Sequence, residues 1–379
     1  MSPVSSILQF GTSRFLQAHV DLFVSEALDR GEAIGTIAVV QTTSSPSSAR
    51  RIDAMARGEG YPVRIRGIRD GQRIDDVVVV RSVRRALQAT ADWREVRRIA
   101  VTEADIIVSN TGDQGFALNP ADGPDCVTNE TAPPESFPAK LLVLLHARWT
   151  VRPEDPLSLF PCELVSRNGE QLQAIVVGLA VVWGLPAGFV TYLRTRCIWA
   201  NSLVDRIVSE PLDPVGAVAE PYALWAIERQ DGLLLPCRHP AIVVTDDLGR
   251  YERLKLHILN LGHTMLAEMW RQTSPDVDLT VLDAMGRPAM RTALEAIWND
   301  EVIPVFARDG LEDQARAYRD EVRERFLNPF LAHRLADIAQ NHPEKKRRRL
   351  APLIAAAQHM QPPLAQTRLR AAMQENDHA

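Results

Sequence analysis

The sequence predicts an α/β Rossmann-like N-terminal domain with a mostly parallel sheet, followed by an all-α C-terminal domain. Three observations predict it. Short β-branched runs alternate with helically spaced segments in the first half of the chain, and a glycine turn follows the first of those runs. From about residue 250 the β-branched runs fade, and long amphipathic segments take over.

Taken in order, Ile7–Phe10 is a short apolar strand, and Phe15–Leu28 has the spacing of a helix. Ile37–Val40, Val77–Val80 and Ile106–Ser109 supply the second, third and fourth strands, with Leu159–Leu164 and Val190–Trp199 as further strands. Pro133, Pro134, Pro153 and Pro156 punctuate the connections. Beyond them Arg253–Arg271, Met290–Phe306, Leu311–Phe326 and Leu331–Asn341 read as helices, and Gln374–Ala379 as a fraying end. The expected division is residues 1–245 for a Rossmann-type dinucleotide-binding domain and 246–379 for an all-helical substrate and catalytic domain.

Composition narrows the class of function. With 379 residues, 46% of them hydrophobic and 24% charged, the chain is long and apolar enough for two cored domains. A net charge of -5 argues against a nucleic-acid binder. The one basic run, Lys345–Arg349, reads as a solvated helix face with an anion-binding role open to one of its arginines. Cys126, Cys162, Cys197 and Cys237 form no CxxC pair and have no His cluster nearby, so they read as reduced thiols with neither a metal site nor a disulfide framework. The start of the chain has no basic segment leading into an apolar run, and Ala174–Leu185 is too short to cross a bilayer. The expectation is a cytoplasmic protein with no membrane partner.

Two stretches carry chemistry. The first βα turn runs Gly11-Thr12-Ser13-Arg14-Phe15, where a pyrophosphate wants glycines and a helix N-terminus. Of the usual three glycines only Gly11 is present, and a tight structural turn also explains it. The second strand leads into Gln41-Thr42-Thr43, with no acidic residue to hold a ribose 2′-hydroxyl. Arg50 and Arg51 follow, as cations for a 2′-phosphate or as solvated helix residues. The second stretch holds Lys255, Asn260 and His263. At about 100° per helical residue, Asn260 lies roughly 140° and His263 roughly 80° around from Lys255, so the three share one side of a helix. An amine, a carboxamide and an imidazole together supply a base, a donor to a carbonyl oxygen and an orienting group, the equipment for interconverting alcohol and ketone. A solvated polar face is the plainer alternative.

Several separated motifs resemble the mannitol dehydrogenase family of polyol-specific long-chain dehydrogenases. Gly11-Thr-Ser13-Arg14-Phe15-Leu-Gln17-Ala18-His19 is similar to its Gly-x-Gly-x-Phe-x-Arg-Ala-His segment, with Ser and Gln as departures. Lys255, Asn260 and His263 match its Lys-x4-Asn-x2-His signature. Asn201-Ser-Leu-Val-Asp205-Arg206-Ile resembles its Asn-x-x-Val-Asp-Arg-Ile element. Pro161-Cys162-Glu163-Leu164-Val165 with Asn168-Gly169 resembles the branch acting on sugar acids such as tagaturonate and altronate.

The resemblance implies an NAD-dependent oxidoreductase, with NADP not excluded, that moves a hydride between nicotinamide and a small sugar acid or polyol. It implies Lys255 as general acid and base, Asn260 as oxyanion donor, His263 as a substrate ligand, and Glu252 as a proton exchanger or simply an ion-pair partner of Lys255. It implies Gly11, Ser13, Arg14, Phe15, Gln41, Asn110, Thr111 and Asn168 around the cofactor. Glu163, Asn201, Asp205 and His263 are implied around the substrate, with Arg325 for its carboxylate. No metal is implied, and the expected assembly is a monomer or homodimer. The family's second oxyanion Asn maps to Leu164, a departure. Mannonate, fructuronate, mannitol or another polyol remain alternative substrates. A nucleotide sensor without catalysis remains an alternative of another class.

Overall fold

The computed structural model describes residues 6–43, 46–112, 115–273 and 277–374. It divides into two units: residues 1–65, 76–219 and 223–248, and residues 66–75, 220–222 and 249–379.

In the first unit, β1 (Ile7–Phe10) is the centre of a six-stranded sheet. It pairs in parallel with β2 (Ile37–Gln41) on one side and β6 (Ile106–Ser109) on the other. Beyond β2 lies β5 (Val83–Gln88), and beyond β6 lie β7 (Leu157–Pro161) and β8 (Cys197–Trp199), all parallel. The order β5-β2-β1-β6-β7-β8 is that of a doubly wound dinucleotide fold, with its switch point between β1 and β6. Strands β1, β2, β6 and β7 are buried at every position and read as largely apolar runs, with Gln9 and Ser158 as buried polar residues inside them.

Helices α1 (Arg14–Gln17) and α2 (Val20–Leu28) follow β1, α3 (Pro46–Ala56) follows β2, and α4 (Trp93–Thr102) precedes β6. Trp93, Val96, Ile99 and Ala100 form the buried stripe of α4, at spacings of three, three and one. Next come α5 (Phe137–Val151), α6 (Asn168–Val182) and α7 (Ala187–Thr195). Arg148 on α5 is buried and donates to Ala100 O at 3.1 Å and Ala104 O at 2.7 Å, tying α5 to the end of α4. A second sheet has the order β10-β11-β3-β4 and a third the order β13-β12-β9. Their strands are β3 (Tyr61–Arg69), β4 (Gln72–Val80), β9 (Ser202–Asp205), β10 (Val208–Pro211), β11 (Ala217–Ala219), β12 (Leu224–Glu228) and β13 (Ile242–Thr245).

The second unit has an α-helical core and includes the tip of the β3–β4 hairpin. Its first helix is α8 (Leu248–Leu254), a π-helical turn over Lys255–Asn260, and α9 (Leu261–Gln272). Then come α10 (Val281–Gly286), α11 (Pro288–Ala296), a second π turn over Ile297–Val302, and α12 (Ile303–Arg308). Pro304 accounts for the second π turn, because it has no N–H for an ordinary helical bond. The unit closes with α13 (Glu312–Phe326), α14 (Leu335–Ile338), α15 (His342–Arg349), α16 (Ala351–Gln358) and α17 (Thr367–Gln374).

The architecture agrees with the sequence reading, and four elements differ. Val77–Val80 belongs to β4 of the second sheet, where Val77 is 60% exposed; the third strand of the parallel sheet is β5 instead. Val190–Trp199 is mainly α7, whose buried Phe189, Tyr192 and Leu193 have helical spacing; only Cys197–Trp199 is a strand. The helix expected from Phe15 to Leu28 breaks at Ala18 and His19. Of Leu331–Asn341 only Leu335–Ile338 is α-helical. Gln374 ends α17, and the remainder of the expected fray, residues 375–379, lies outside the described residues. No helix among the described residues is long and apolar enough to cross a membrane.

Candidate active site

The first unit gathers a network at the carboxyl ends of β1, β6 and β7. Gly11 leaves β1 with φ +116°, and a Cβ there would meet Asn110 O at 2.5 Å, so only glycine lets the two turns approach. Ser13 caps α1, accepting from Leu16 N at 3.2 Å while its hydroxyl donates to Asn110 Oδ1 at 3.3 Å. Asn110 Nδ2 donates to Cys162 O at 2.8 Å. Arg14 is exposed, and Phe15 stacks on the buried His19 with ring centres 4.7 Å apart. Burial, and then a cationic neighbour in Arg206, hold His19 neutral with a pKa of about 3, despite its hydrogen bond to Leu224 O.

Glu163, read from sequence as a substrate ligand, is buried behind this network. Its Oε1 accepts from Thr111 N at 3.0 Å and Thr111 Oγ1 at 2.9 Å, and its Oε2 from Ser109 Oγ at 3.0 Å. Burial pushes its carboxyl above the usual carboxylate range, with those hydrogen bonds pulling against it. Asn168 is similarly committed. Its amide nitrogen donates to Pro161 O, Glu163 O and Ser202 O, and its oxygen accepts from Gly169 N and Ser202 N. It ties the end of β7 to the start of β9. Asn201, also buried, accepts from Glu170 N at 3.1 Å and donates to Glu228 Oε2 at 2.6 Å. Asp205 is buried at the end of β9, next to Arg206, which donates to Ala18 O at 2.6 Å.

Gln41 ends β2 with Oε1 buried and without a donor among the described residues, while its Nε2 donates to Thr43 O. Arg51 donates to Thr12 O at 3.1 Å, placing a cation on the first βα turn, a contact that residue spacing alone did not show.

The second unit holds Glu252, Lys255, Asn260 and His263 on one continuous helix, but the geometry is not that of a plain α-helix. The Lys255–Asn260 segment closes its rings over five residues. The Leu261 N–H bonds to Leu256 O, five back, and to Ile258 O, three back. A π turn is wider than an α turn and advances less around the axis per residue, so Lys255 and Asn260, five apart, stand closer around the helix than in α geometry. The roughly 140° expected from α geometry is corrected. Both are half-buried, as is Glu252, while Ile258 and Leu259 face the core. His263 is buried against Phe326, with centroids 4.4 Å apart and planes 28° apart, and His333 meets it edge-on at 4.8 Å.

Arg325, implied for a carboxylate, and two cations of the Lys345–Arg349 run have partners. Arg325 donates through Nε at 2.9 Å and Nη2 at 2.8 Å to the two oxygens of Glu220. Lys346 lies 3.0 Å from Glu268 in a buried cluster with His342, so the Lys345–Arg349 run is not uniformly solvated as its composition suggested. Arg349 Nη1 donates to Asn260 O at 3.1 Å and Thr264 Oγ1 at 2.8 Å. Leu164, at the expected second oxyanion position, is 77% exposed.

The family model described as the mannitol dehydrogenase Rossmann domain matches residues 5–233, and that of the mannitol dehydrogenase C-terminal domain matches residues 247–372. Altronate oxidoreductase of Bacillus subtilis (strain 168) is 30% identical over 371 residues, covering 92% of this chain and 74% of that protein. The protein of the same description from Klebsiella pneumoniae (strain ATCC 700721 / MGH 78578) is 33% identical, covering 93% and 75%. Among solved structures, a substrate-free D-sorbitol dehydrogenase superposes with a TM-score of 0.80 at 20% identity, covering 98% of this chain and 80% of that one. A Pseudomonas fluorescens mannitol 2-dehydrogenase in ternary complex with NAD and D-mannitol superposes with a TM-score of 0.70 at 18% identity, covering 98% and 78%.

Proposed function

The chain belongs to the mannitol dehydrogenase family, and from that premise we propose that it is an NAD-dependent oxidoreductase of CH–OH groups, interconverting a tagaturonate-type keto sugar acid and its altronate-type alcohol. The observation that supports the reading is the π turn that brings Lys255 closer around the axis to Asn260 on the helix that also holds His263.

The first unit suits a dinucleotide. Its sheet has a switch point where nucleotides bind, and Gly11 and Asn110 pack closely there. With no acid at the end of β2 and Arg51 on the turn, NADP is the competing cofactor. When bound, the nicotinamide gives or takes the hydride.

The chain's own residues handle the proton and the charge. Lys255 takes the hydroxyl proton in alcohol oxidation and returns it in ketone reduction. The Asn260 carboxamide donates to the oxygen on which charge develops. His263, held by Phe326, binds a neighbouring substrate hydroxyl, and Glu252, three residues before Lys255, passes its proton to solvent.

The test is NADH and NADPH oxidation by the purified protein with a panel of keto sugar acids and keto sugars. Turnover of a keto sugar acid with NADH is expected, and Lys255→Ala should abolish it with NADH binding intact. Preference for fructose or another neutral ketose would move the substrate to the polyols. NADH binding with no turnover of any panel member would replace the enzyme by a nucleotide sensor.

A further inference from the structure

A π turn carries one more residue than the α turn it interrupts. That excess can slide along the helix while both ends keep their α geometry, so the helix alone does not fix where it sits. At the exit of the Lys255–Asn260 turn, two carbonyls receive side-chain donors. Trp298 Nε1 donates to Ile258 O at 3.1 Å. Arg349 Nη1 donates to Asn260 O at 3.1 Å, and Thr264 Oγ1 donates to the same oxygen at 3.0 Å. From the other side, His257, inside the turn, bonds through Nδ1 to Arg349 O at 2.9 Å. Because that partner is a carbonyl, His257 Nδ1 carries the proton. Arg349 thus engages the turn through both its side chain and its backbone. Burial, and then Arg348, lower Arg349 to about 10, so it stays charged at neutral pH.

We propose that Trp298 and Arg349 are positioning residues that pin the π turn at Lys255–Asn260, and so set the angle around the helix between Lys255 and Asn260. Neither needs to touch substrate. Trp298 is fully buried, and its indole N–H has a backbone carbonyl as partner. Arg349 comes from α15, far along the chain, so the register of the reactive helix depends on the packing of a later one. The proposal rests on the catalytic reading of Lys255 and Asn260, but its structural half stands apart from it.

The test uses Trp298→Phe, which removes the N–H and keeps most of the ring, and Arg349→Met, which keeps the aliphatic stem. Each variant is expected to lose kcat by roughly 10- to 100-fold. KM should change little, NADH affinity should hold, and added guanidinium should partly rescue Arg349→Met. Hydrogen exchange at residues 256–261 should accelerate in both variants, and a crystal structure of either should show the turn displaced or loosened. Unchanged exchange with the turn in place would overturn the proposal, whatever the activity. So would a raised KM with kcat intact for Arg349→Met, which would assign Arg349 to substrate binding. If the wild type turns nothing over but the turn moves in the variants, the catalytic reading fails and the pinning survives.

Discussion

Glu163 and Thr111 are joined twice: the backbone N–H and the hydroxyl of Thr111 both donate to the same carboxylate oxygen, at 3.0 and 2.9 Å. This pair anchors the loop that leaves β6. Glu163→Ala strips an acceptor from the buried Ser109 hydroxyl and from the half-buried N–H and hydroxyl of Thr111, which costs up to roughly 1–3 kcal/mol for the buried group and less for the others. Glu163→Gln keeps one oxygen for Thr111 and offers an N–H₂ to Ser109 Oγ, which can turn to accept. The expected order of melting temperatures is wild type, then Gln slightly below, then Ala well below, with NADH affinity falling in the same order. A large rise in substrate KM in a stable Glu163→Gln enzyme would instead return Glu163 to direct substrate binding.

The strands legible in the sequence are those buried on both faces. Ile7–Phe10 and Ile106–Ser109 are largely apolar because helices cover the sheet, and they stand where the pattern put them. The edge strand β5, Val-Arg-Arg-Ala-Leu-Gln, is half-exposed and has no such run, so the valines of β4 drew the assignment instead. Val190, Thr191 and Thr195 gave α7 the look of a strand, although packing of Phe189, Tyr192 and Leu193 decided for a helix. In the site, Lys255, Asn260 and His263 were legible as residues on one helix; the π turn was not. Its donors Trp298 and Arg349 lie 38 to 94 residues further along, beyond any local pattern.

Arg325 and Glu220 form a two-pronged buried pair, and the guanidinium lies 4.3 Å from the ring centre of Tyr222. Removing the arginine leaves a buried carboxylate without its cation, at a cost of roughly 3–5 kcal/mol, whereas replacing both partners with apolar residues of similar size costs far less. Arg325→Met should therefore lower the denaturant midpoint sharply, and Glu220→Met with Arg325→Met should recover much of the loss. Normal stability with a raised KM for the sugar acid would show that Arg325 serves the substrate carboxylate.

Asp21 is fully buried, and Tyr61 donates to its Oδ2 at 2.6 Å while its Oδ1 has no partner among the described residues. Burial raises its carboxyl to about 7, against hydrogen bonds that pull it down. Between the unfolded carboxylate value near ~4 and 7, the folded chain holds a proton that the unfolded chain has released. Stability contributed by this group therefore falls as pH rises through that window and levels off above it. Asparagine keeps an acceptor for Tyr61 and does not ionise. Asp21→Asn should gain on the wild type by roughly 1–4 kcal/mol on going from about pH 5 to about pH 8. Parallel stability curves for the two proteins would mean that Asp21 is already ionised at the acid end.

Gly262 sits between Asn260 and His263, inside a helix, where alanine is ordinarily favoured by about 1 kcal/mol. Here a Cβ would meet Trp298 Cζ2 at 2.8 Å and two Phe326 ring carbons at 3.1 and 3.2 Å. Trp298 is fully buried and donates to Ile258 O, and Phe326 carries the stacked His263, so neither ring can give way without moving the reactive helix. Overpacking of this kind costs about 1–3 kcal/mol, which exceeds the propensity gain. Gly178 on α6 provides the control, since a Cβ there meets nothing within 4 Å. Gly178→Ala is expected to raise the melting temperature and leave kcat unchanged. Gly262→Ala is expected to lower both, because the methyl group pushes on the two rings that hold Ile258 and His263 in place. Equal, stabilising effects of the two substitutions would show that the Trp298–Phe326 wall yields freely, and the reactive helix would then owe its placement to something else.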